Sequence, residues 1–237
     1  MVNNIFIALD FPTWQQAKTF IDDHAFHGVP VKVGMELFYR EGPDIIYELK
    51  RNEHPIFLDL KLHDIPNTVM GAMKNLAQLH VDIVNVHATG GSEMIKWAKE
   101  GLLQGTQAHA LPQLIAVTVL TSFEEQTLHK ELKVHGQLDE YAIHLAQLSQ
   151  ASGADGVVCS VHEAKQIKKV CGSSFVTVTP GIRLQEADQG DQKRIATPKY
   201  ARQHGSDILV IGRSITQADN PRLAYEQCLK EWTNENE

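Results

Sequence analysis

The feature that most constrains the fold is a repeat of short apolar runs, each followed by a stretch with helical patterning. Eight runs are rich in Val, Ile, Leu and Phe, and each has the length of a buried strand. They begin about 30 residues apart, which is the length of one βα unit. The predicted strands are Asn4–Asp10, Val31–Gly34, Ile56–Leu62, Ile83–Ala88, Leu114–Leu120, Gly156–Ser160, Phe175–Pro180 and Ile208–Arg213.

Most of the intervening segments carry apolar residues at helical spacing. In Thr68–His80, for example, Val69, Met73 and Leu76 share one helical face. The predicted helices are Thr13–His24, Thr68–His80, Ser92–Leu103, a helix through Tyr141, Leu145 and Leu148 that ends near Gly153, His162–Val170, Lys199–His204 and Pro221–Glu231.

Alternating strands and helices place the chain in the α/β class and predict a closed (βα)8 TIM barrel. An open, doubly wound sheet is the alternative, but such sheets more often have five or six strands and a glycine-rich first turn. Here the first strand ends in Leu9-Asp10-Phe11-Pro12, without a GxGxxG motif. We find no linker and no strong internal repeat, so residues 1–237 are predicted to form a single domain.

The composition limits the partners and the compartment. Asp and Glu number 29 against 22 Lys and Arg, a net charge of −7. An acidic chain is unsuited to binding a nucleic-acid polymer, although a local cluster of donors can still bind a small anion. Three cysteines without a CxxC pair predict a reducing compartment. With no signal-peptide pattern and no apolar run near the roughly 20 residues of a membrane span, we expect a cytoplasmic protein without a membrane partner.

The densest group of charges lies in the segment FLDLKLHDIPNT at 57–68. Because side chains alternate along a strand, Phe57, Asp59 and Lys61 are predicted to point into the barrel and the intervening leucines toward the helices. Asp64 follows where the strand has become a loop. A lysine between two carboxylates stays protonated, which makes Lys61 a positioned proton donor rather than a Schiff-base amine.

Two further charges, Asp10 and Lys32, stand at the ends of the first two strands. Active sites of such barrels lie at the carboxyl ends of the strands, so these residues are expected beside the third-strand group. The alternative is a structural ion-pair network. Burying so many charges is costly, which favours a catalytic role. His87 ends the fourth strand without a second ligand at metal spacing, so we expect it either to be structural or to line the site, and we predict no metal site.

The last two strands end in segments suited to phosphate. They are 179–183, TPGIR, and 210–215, VIGRSI. In these barrels phosphate sites often come from the loops after strands seven and eight, where glycine lets backbone N–H groups approach and arginine supplies a bidentate fork. Residues 184–197 lack a clear pattern and are predicted to close over a ligand, with Gln192 as a possible donor. A solvated loop is the alternative.

Together these segments resemble the orotidine 5′-phosphate decarboxylase family in its short bacterial form. The segment 57–68 is the most specific of them. The matching stretches, in the family's order, are 8–10, 31–34, 57–68, 179–183, 190–194 and 210–215. The resemblance implies a (βα)8 barrel that decarboxylates orotidine 5′-monophosphate to UMP and CO2, the last step of UMP synthesis, without a metal or organic cofactor.

The resemblance also implies residue roles. Lys61 would protonate C6 of the pyrimidine within an array made of Lys32, Asp59, Lys61 and Asp64. Asp64 would reach into the neighbouring subunit's site, so a homodimer with shared sites is expected. Asp10 and Lys32 would hold the ribose, Thr121 would contact the base, and Gln192, Gly212 and Arg213 would bind phosphate with Arg183 close by. The substrate-binding set is Asp10, Lys32, Ile65, Thr68, Thr121, Pro180, Arg183, Gln192, Gly212 and Arg213.

Two other functions stay open at this point. Hexulose- and ketogulonate-phosphate enzymes share the DxKxxD pattern, but they use Mg²⁺ held partly by an acid at the end of the second strand. Here that position is Lys32, which would repel a metal. A non-enzymatic phosphosugar sensor would not need the full array of charges.

Overall fold

The computed structural model describes residues 4–106, 110–184 and 196–233. Eight parallel strands pair in chain order, and the eighth pairs with the first to close a barrel. The predicted (βα)8 barrel is therefore confirmed over the open sheet. The strands are β1 (Ile5–Ala8), β2 (Val31–Gly34), β3 (Ile56–Leu62), β4 (Ile83–His87), β5 (Gln113–Val117), β6 (Gly156–Val158), β7 (Val176–Thr179) and β8 (Ile208–Ile211).

Helices surround the barrel and cover its outer face. None in the described part of the chain is both long and apolar enough to cross a membrane. The helices are α1 (Trp14–Asp23), α2 (Met35–Glu41), α3 (Asp44–Arg51), α4 (Pro66–Ala77), α5 (Gly91–Gly105), α6 (Leu138–Ala151), α7 (Val161–Cys171), α8 (Pro198–Gln203), α9 (Arg213–Thr216) and α10 (Pro221–Thr233).

Helices α2, α3 and α4 differ from the sequence-based predictions. No helix was predicted between β2 and β3, where the structure has α2 and α3. Gly42, at a φ of 72°, and Pro43 separate them, so each helix is too short to show a clear apolar period. Helix α4 begins at Pro66 rather than at Thr68, because proline fits the first turn of a helix, where its missing N–H is not needed.

The apolar core has two parts. Phe6, Phe57, Ile83, Ile115, Val178 and Ile208 form the cluster inside the barrel. Leu58 and Leu60 belong to the larger cluster between the strands and the helices. The predicted alternation along β3 is thus confirmed for Phe57 and these two leucines. The inner cluster fills the barrel, so polar groups on the same strand faces must lie toward its open end.

The amino-terminal end of the barrel has a repeated arrangement that the sequence analysis missed. An aspartate directly before β4, β6 and β8 accepts a backbone N–H at the start of the preceding strand, at 2.7 to 2.8 Å. The same carboxylate pairs with a lysine from the helix before that strand. The sets are Asp82 with Ile56 and Lys50, Asp155 with Leu114 and Lys99, and Asp207 with Thr177 and Lys168. These aspartate–lysine clamps join neighbouring strands at the end opposite the strand carboxyl termini.

His54 leads to a pH-dependence prediction. Its side chain is fully buried, and its Nδ1–H donates to the Val29 carbonyl oxygen at 2.6 Å. Nε2 has no hydrogen-bond partner among the described residues. Burial lowers the pKa of His54 below 6.5, because a proton on Nε2 would place an unpaired charge in the interior. The unfolded chain then binds the proton more readily, so this stability contribution is lost as pH falls below about 6.5.

We expect the free energy of unfolding to fall less steeply between about pH 7 and pH 5 in His54→Gln than in the wild type. Urea unfolding at several pH values measures this slope. His144→Gln, at an exposed position on α6, is the matched control and should keep the wild-type slope. Equal slopes for wild type and His54→Gln would remove His54 as a cause of acid sensitivity.

Candidate active site

A cavity of about 310 Å³ opens at the carboxyl ends of the strands. Valines form part of its wall, among them Val117, Val158 and Val178. The predicted site residues that line it are Asp10, Lys32, Asp59, Lys61, Thr121, Pro180, Arg183, Gly212 and Arg213. The cavity therefore combines an apolar wall with carboxylates, lysines and arginines.

Charges of alternating sign run across the first three strands. Lys32 Nζ lies 2.6 Å from Asp10 Oδ1 and 3.5 Å from Asp59 Oδ2. Lys61 Nζ lies 2.6 Å from Asp59 Oδ1. Within one chain, the lysine that pairs with two carboxylates is thus Lys32, whereas the sequence predicted Lys61. Gly34 leaves room for the first pair, since a Cβ there would lie 3.2 Å from Lys32 Nζ.

Burial and pairing compete at the two most buried members of this array. Burial is the largest influence on Lys32 and lowers its pKa, but Asp10 and Asp59 together hold the pKa above 10.5. Burial likewise raises the pKa of Asp59, but the Lys32 and Lys61 ammonium groups outweigh it and hold the pKa below 3.8. Both groups are therefore charged at neutral pH.

The backbone of β3 is irregular at Lys61. Leu58 pairs with Val84 and Leu62 pairs with Val86, so β3 has extra residues between these two points. Lys61 itself has a φ of 51°, in the left-handed region that non-glycine residues rarely adopt. Such strain persists only where the surrounding structure enforces it, and it is concentrated at functional sites.

Asn85 on β4 is a site residue that the sequence analysis missed. It is 1% exposed. Its Oδ1 accepts the Lys61 backbone N–H at 2.7 Å, and its Nδ2 donates to Asp59 Oδ1 at 2.6 Å. The sequence did contain an indication, because an amide stands at an inward position between Ile83 and His87 in an otherwise apolar strand.

Asp64, Ile65 and Thr68 lie apart from this cavity. All three are exposed at the start of α4, and Ile65 is 67% exposed. Asp64 Oδ1 accepts the backbone N–H of Ile65 at 2.6 Å. None of the three is among the residues that line the cavity of its own chain. Gln192 and the segment 190–194 lie outside the described residues.

His87 is half-buried beside the array, with its ring 5.6 Å from that of His63. Burial lowers its pKa, and His63 and Lys61 lower it further. It is not among the cavity-lining residues. In residues 4–106, 110–184 and 196–233, no three His, Cys, Asp or Glu side chains are grouped to hold a metal ion.

Arginines lie at the ends of β7 and β8. Arg183 is 6% exposed and Arg213 begins α9, and both line the cavity. Gly181 has a φ of 76°, which a side chain would disfavour, so the turn after β7 requires glycine. At Gly212 a Cβ would make only ordinary contacts, the nearest at 3.5 Å. Space alone therefore does not require glycine at 212.

The fold and the site define a barrel enzyme with a charged array beneath arginine-bearing loops. Comparison with known proteins specifies the family. Residues 3–228 match the model of the orotidine 5′-phosphate decarboxylase / HUMPS family. The chain therefore belongs to this family, as the segments at the strand ends predicted.

Individual relatives agree with this assignment. The chain is 54% identical over 235 residues to the orotidine 5′-phosphate decarboxylase of Bacillus mycoides (strain KBAB4), with 98% of each chain covered. It resembles the crystal structure of orotidine 5′-phosphate decarboxylase from Lactobacillus acidophilus with a TM-score of 0.87 and 44% identity, covering 96% of this chain and 98% of that one. An uncharacterized conserved protein from Geobacillus kaustophilus gives a TM-score of 0.85 and 48% identity, covering 96% and 99%.

Proposed function

We propose that this chain is an orotidine 5′-phosphate decarboxylase, which converts orotidine 5′-monophosphate to UMP and CO2 in pyrimidine nucleotide synthesis. The observation that carries the proposal is the line of alternating charges in which Lys61 and Lys32 flank the Asp59 carboxylate at 2.6 and 3.5 Å. Relatives with that name, 54% identical over nearly the whole chain, support it.

Lys61 performs the central step of the proposed mechanism. The bond between C6 and the carboxylate breaks, CO2 leaves, and the electron pair stays on C6, where no adjacent carbonyl can delocalise it. A fixed ammonium beside C6 stabilises this developing charge and then transfers a proton from Nζ to the carbon. The contact with Asp59 holds the ammonium in place before substrate arrives.

Asp59 has a second role toward the substrate. Its carboxylate would lie near the departing carboxylate, and two like charges at about 4 Å repel by about 4 kcal/mol at an effective dielectric of 20. The repulsion disappears as neutral CO2 forms, so it helps to the extent that it is relieved in the transition state. We expect Lys61 to contribute more to the rate than Asp59, because Lys61 stabilises the charge that the reaction creates.

The proposed phosphate ligands are Gln192, Gly212 and Arg213, with Arg183 close by. Phosphate is remote from C6, but its binding energy can hold the substrate and the charged array in their reactive arrangement. Asp10 and Lys32 would hold the ribose between the phosphate and the base, and Thr121 and Pro180 would contact the base.

The phosphate assignment predicts the kinetics of Arg213→Ala. We expect kcat/KM for orotidine 5′-monophosphate to fall about 100-fold, because a charge-assisted hydrogen bond contributes about 1.5–3 kcal/mol. For orotidine, which lacks the phosphate, kcat/KM should differ much less between the wild type and Arg213→Ala. Arg222→Ala is the matched control, since Arg222 pairs with Glu226 on α10. An equal loss for both substrates would contradict a phosphate contact.

We also propose a cytoplasmic homodimer in which each subunit completes its partner's site. The support is the position of Asp64, which is exposed and does not line its own cavity. Ile65 beside it exposes an apolar side chain at 67%. A carboxylate next to an exposed apolar residue fits a surface that another subunit covers, with Asp64, Ile65 and Thr68 reaching the second cavity.

The direct test is turnover by the purified protein. Orotidine 5′-monophosphate is added in the presence of EDTA, and the loss of pyrimidine absorbance is followed. Decarboxylation unaffected by EDTA is the expected result. Turnover that requires Mg²⁺ would favour the hexulose- or ketogulonate-phosphate alternative, and tight binding without turnover would favour a sensor. The ammonium of Lys32, between Asp10 and Asp59, argues against metal at that position.

A further inference from the structure

Asn85 connects the two central groups of the array. Its amide lies on the inward face of β4 and is buried, and both of its polar atoms are used. Oδ1 accepts from the backbone of Lys61, while Nδ2 donates to the Asp59 carboxylate oxygen that also receives the Lys61 ammonium. One side chain therefore contacts both the backbone of Lys61 and the carboxylate that pairs with the Lys61 ammonium.

The backbone bond compensates for the irregularity of β3. The ladder to β4 is regular at Leu58 and resumes at Leu62. Between these points the N–H of Lys61, at a φ of 51°, is accepted by the Asn85 side chain. A buried N–H without an acceptor is costly. The amide thus stabilises the left-handed conformation that turns Lys61 toward Asp59.

The contact with Asp59 requires a neutral donor. Hydrogen bonding by Asn85 helps the two lysines to keep the pKa of Asp59 low against the effect of burial, although the lysines contribute more. A cation at position 85 would compete with Lys61 for the carboxylate, and an apolar residue would leave two buried groups unpaired. Among side chains of this size, an amide both accepts and donates without adding charge.

We propose that Asn85 is a positioning residue that sets the place of the Lys61 ammonium and of the Asp59 carboxylate for decarboxylation. This inference rests on the proposed function. Asn85 does not line the cavity, so it acts through Lys61 and Asp59 rather than by touching substrate. Its loss should therefore change the chemical step more than the binding of substrate.

The first test is a comparison of Asn85→Ala with the wild type. We expect kcat to fall about 100-fold, the effect of a displacement of about 1 Å in a catalytic group, with KM for orotidine 5′-monophosphate changed less than threefold. Thr177→Val is the matched control. Thr177 is also buried and hydrogen-bonded, but it lies at the clamped end of the barrel. It should lose stability while keeping the wild-type kcat.

A second variant distinguishes positioning from packing. Asn85→Asp keeps the size and the acceptor but places a second carboxylate against Asp59, and two such groups share one proton at low pH. The protonated form can donate as the amide does. We therefore expect the ratio of the kcat of Asn85→Asp to that of the wild type to rise as pH is lowered. The ratio removes the effect of the neighbouring ionisable groups that both proteins share, which are Asp59, Lys61, Lys32 and His87.

The outcomes separate the two proposals. A wild type that does not decarboxylate orotidine 5′-monophosphate overturns the proposed function. If the wild type is active, two results would overturn only the role of Asn85. One is a kcat of Asn85→Ala equal to that of the wild type, and the other is a pH profile of Asn85→Asp parallel to that of the wild type. If Asn85→Ala does not fold, the pH profile of Asn85→Asp decides alone.

Discussion

Lys61→Ala is expected to lower turnover of orotidine 5′-monophosphate by about 10⁵-fold. General acid catalysis contributes about 10²–10⁴ and fixed electrostatic stabilisation about 10²–10³, and the same ammonium supplies both in the proposed mechanism. Substrate affinity should change much less, because other residues are proposed to hold the ribose and the phosphate. The measurement is kcat from the absorbance assay, at enzyme concentrations high enough to detect slow turnover.

The variant is expected to fold, so the loss can be assigned to chemistry. Asp59 keeps Lys32 and Asn85 as partners when the Lys61 ammonium is removed. Circular dichroism and urea unfolding establish the folded state. Lys18→Ala is the matched control, because Lys18 also pairs with a carboxylate, Glu48, but on the outer surface. Near-normal turnover by Lys61→Ala would remove this lysine from the mechanism.

Mixing Asp64→Asn with Lys61→Ala is expected to restore activity that neither variant has alone. In a hybrid dimer, one cavity would take Lys61 from the first variant and Asp64 from the second, which makes a complete site. With random exchange of subunits, half the dimers are hybrids, and about a quarter of all sites are intact. The measurement is turnover of each variant and of the mixture at equal total concentration.

A second mixture controls for effects other than shared sites. Lys61→Ala and Asp59→Asn alter residues of the same cavity, so their hybrid contains no complete site and should stay inactive. Exchange is established separately, with one variant carrying an affinity tag. If exchange occurs and the first mixture shows no rescue, Asp64 does not cross between subunits.

The barrel could be predicted from the sequence because its main determinant is local. Strands buried on both faces read as continuous apolar runs, and eight of them at the spacing of a βα unit favour a closed sheet. The same two-residue period identified the inward face of β3. Helices α2 and α3 could not be predicted in this way, since an interruption at Gly42 and Pro43 leaves segments of only seven and eight residues.

The charged array could also be predicted, but its internal order could not. Barrel geometry brings the ends of β1, β2 and β3 together, so the proximity of Asp10, Lys32 and Asp59 follows from the topology. The placement of Lys32 between two carboxylates depends on the register of β2 against β1 and β3. The left-handed backbone of Lys61 accompanies the register shift of β3 against β4. Register is a tertiary property, and no local pattern in 57–68 encodes it.

The aspartate–lysine clamps have a consequence for protein engineering. They join β3 to β4, β5 to β6 and β7 to β8 at the end of the barrel that faces away from the cavity. The clamps and the proposed catalytic side chains therefore lie at opposite ends of the barrel. A library that randomises the cavity wall to accept a different ring can leave Asp82, Asp155 and Asp207 unchanged. Each variant in such a library then keeps the clamps of the parent barrel.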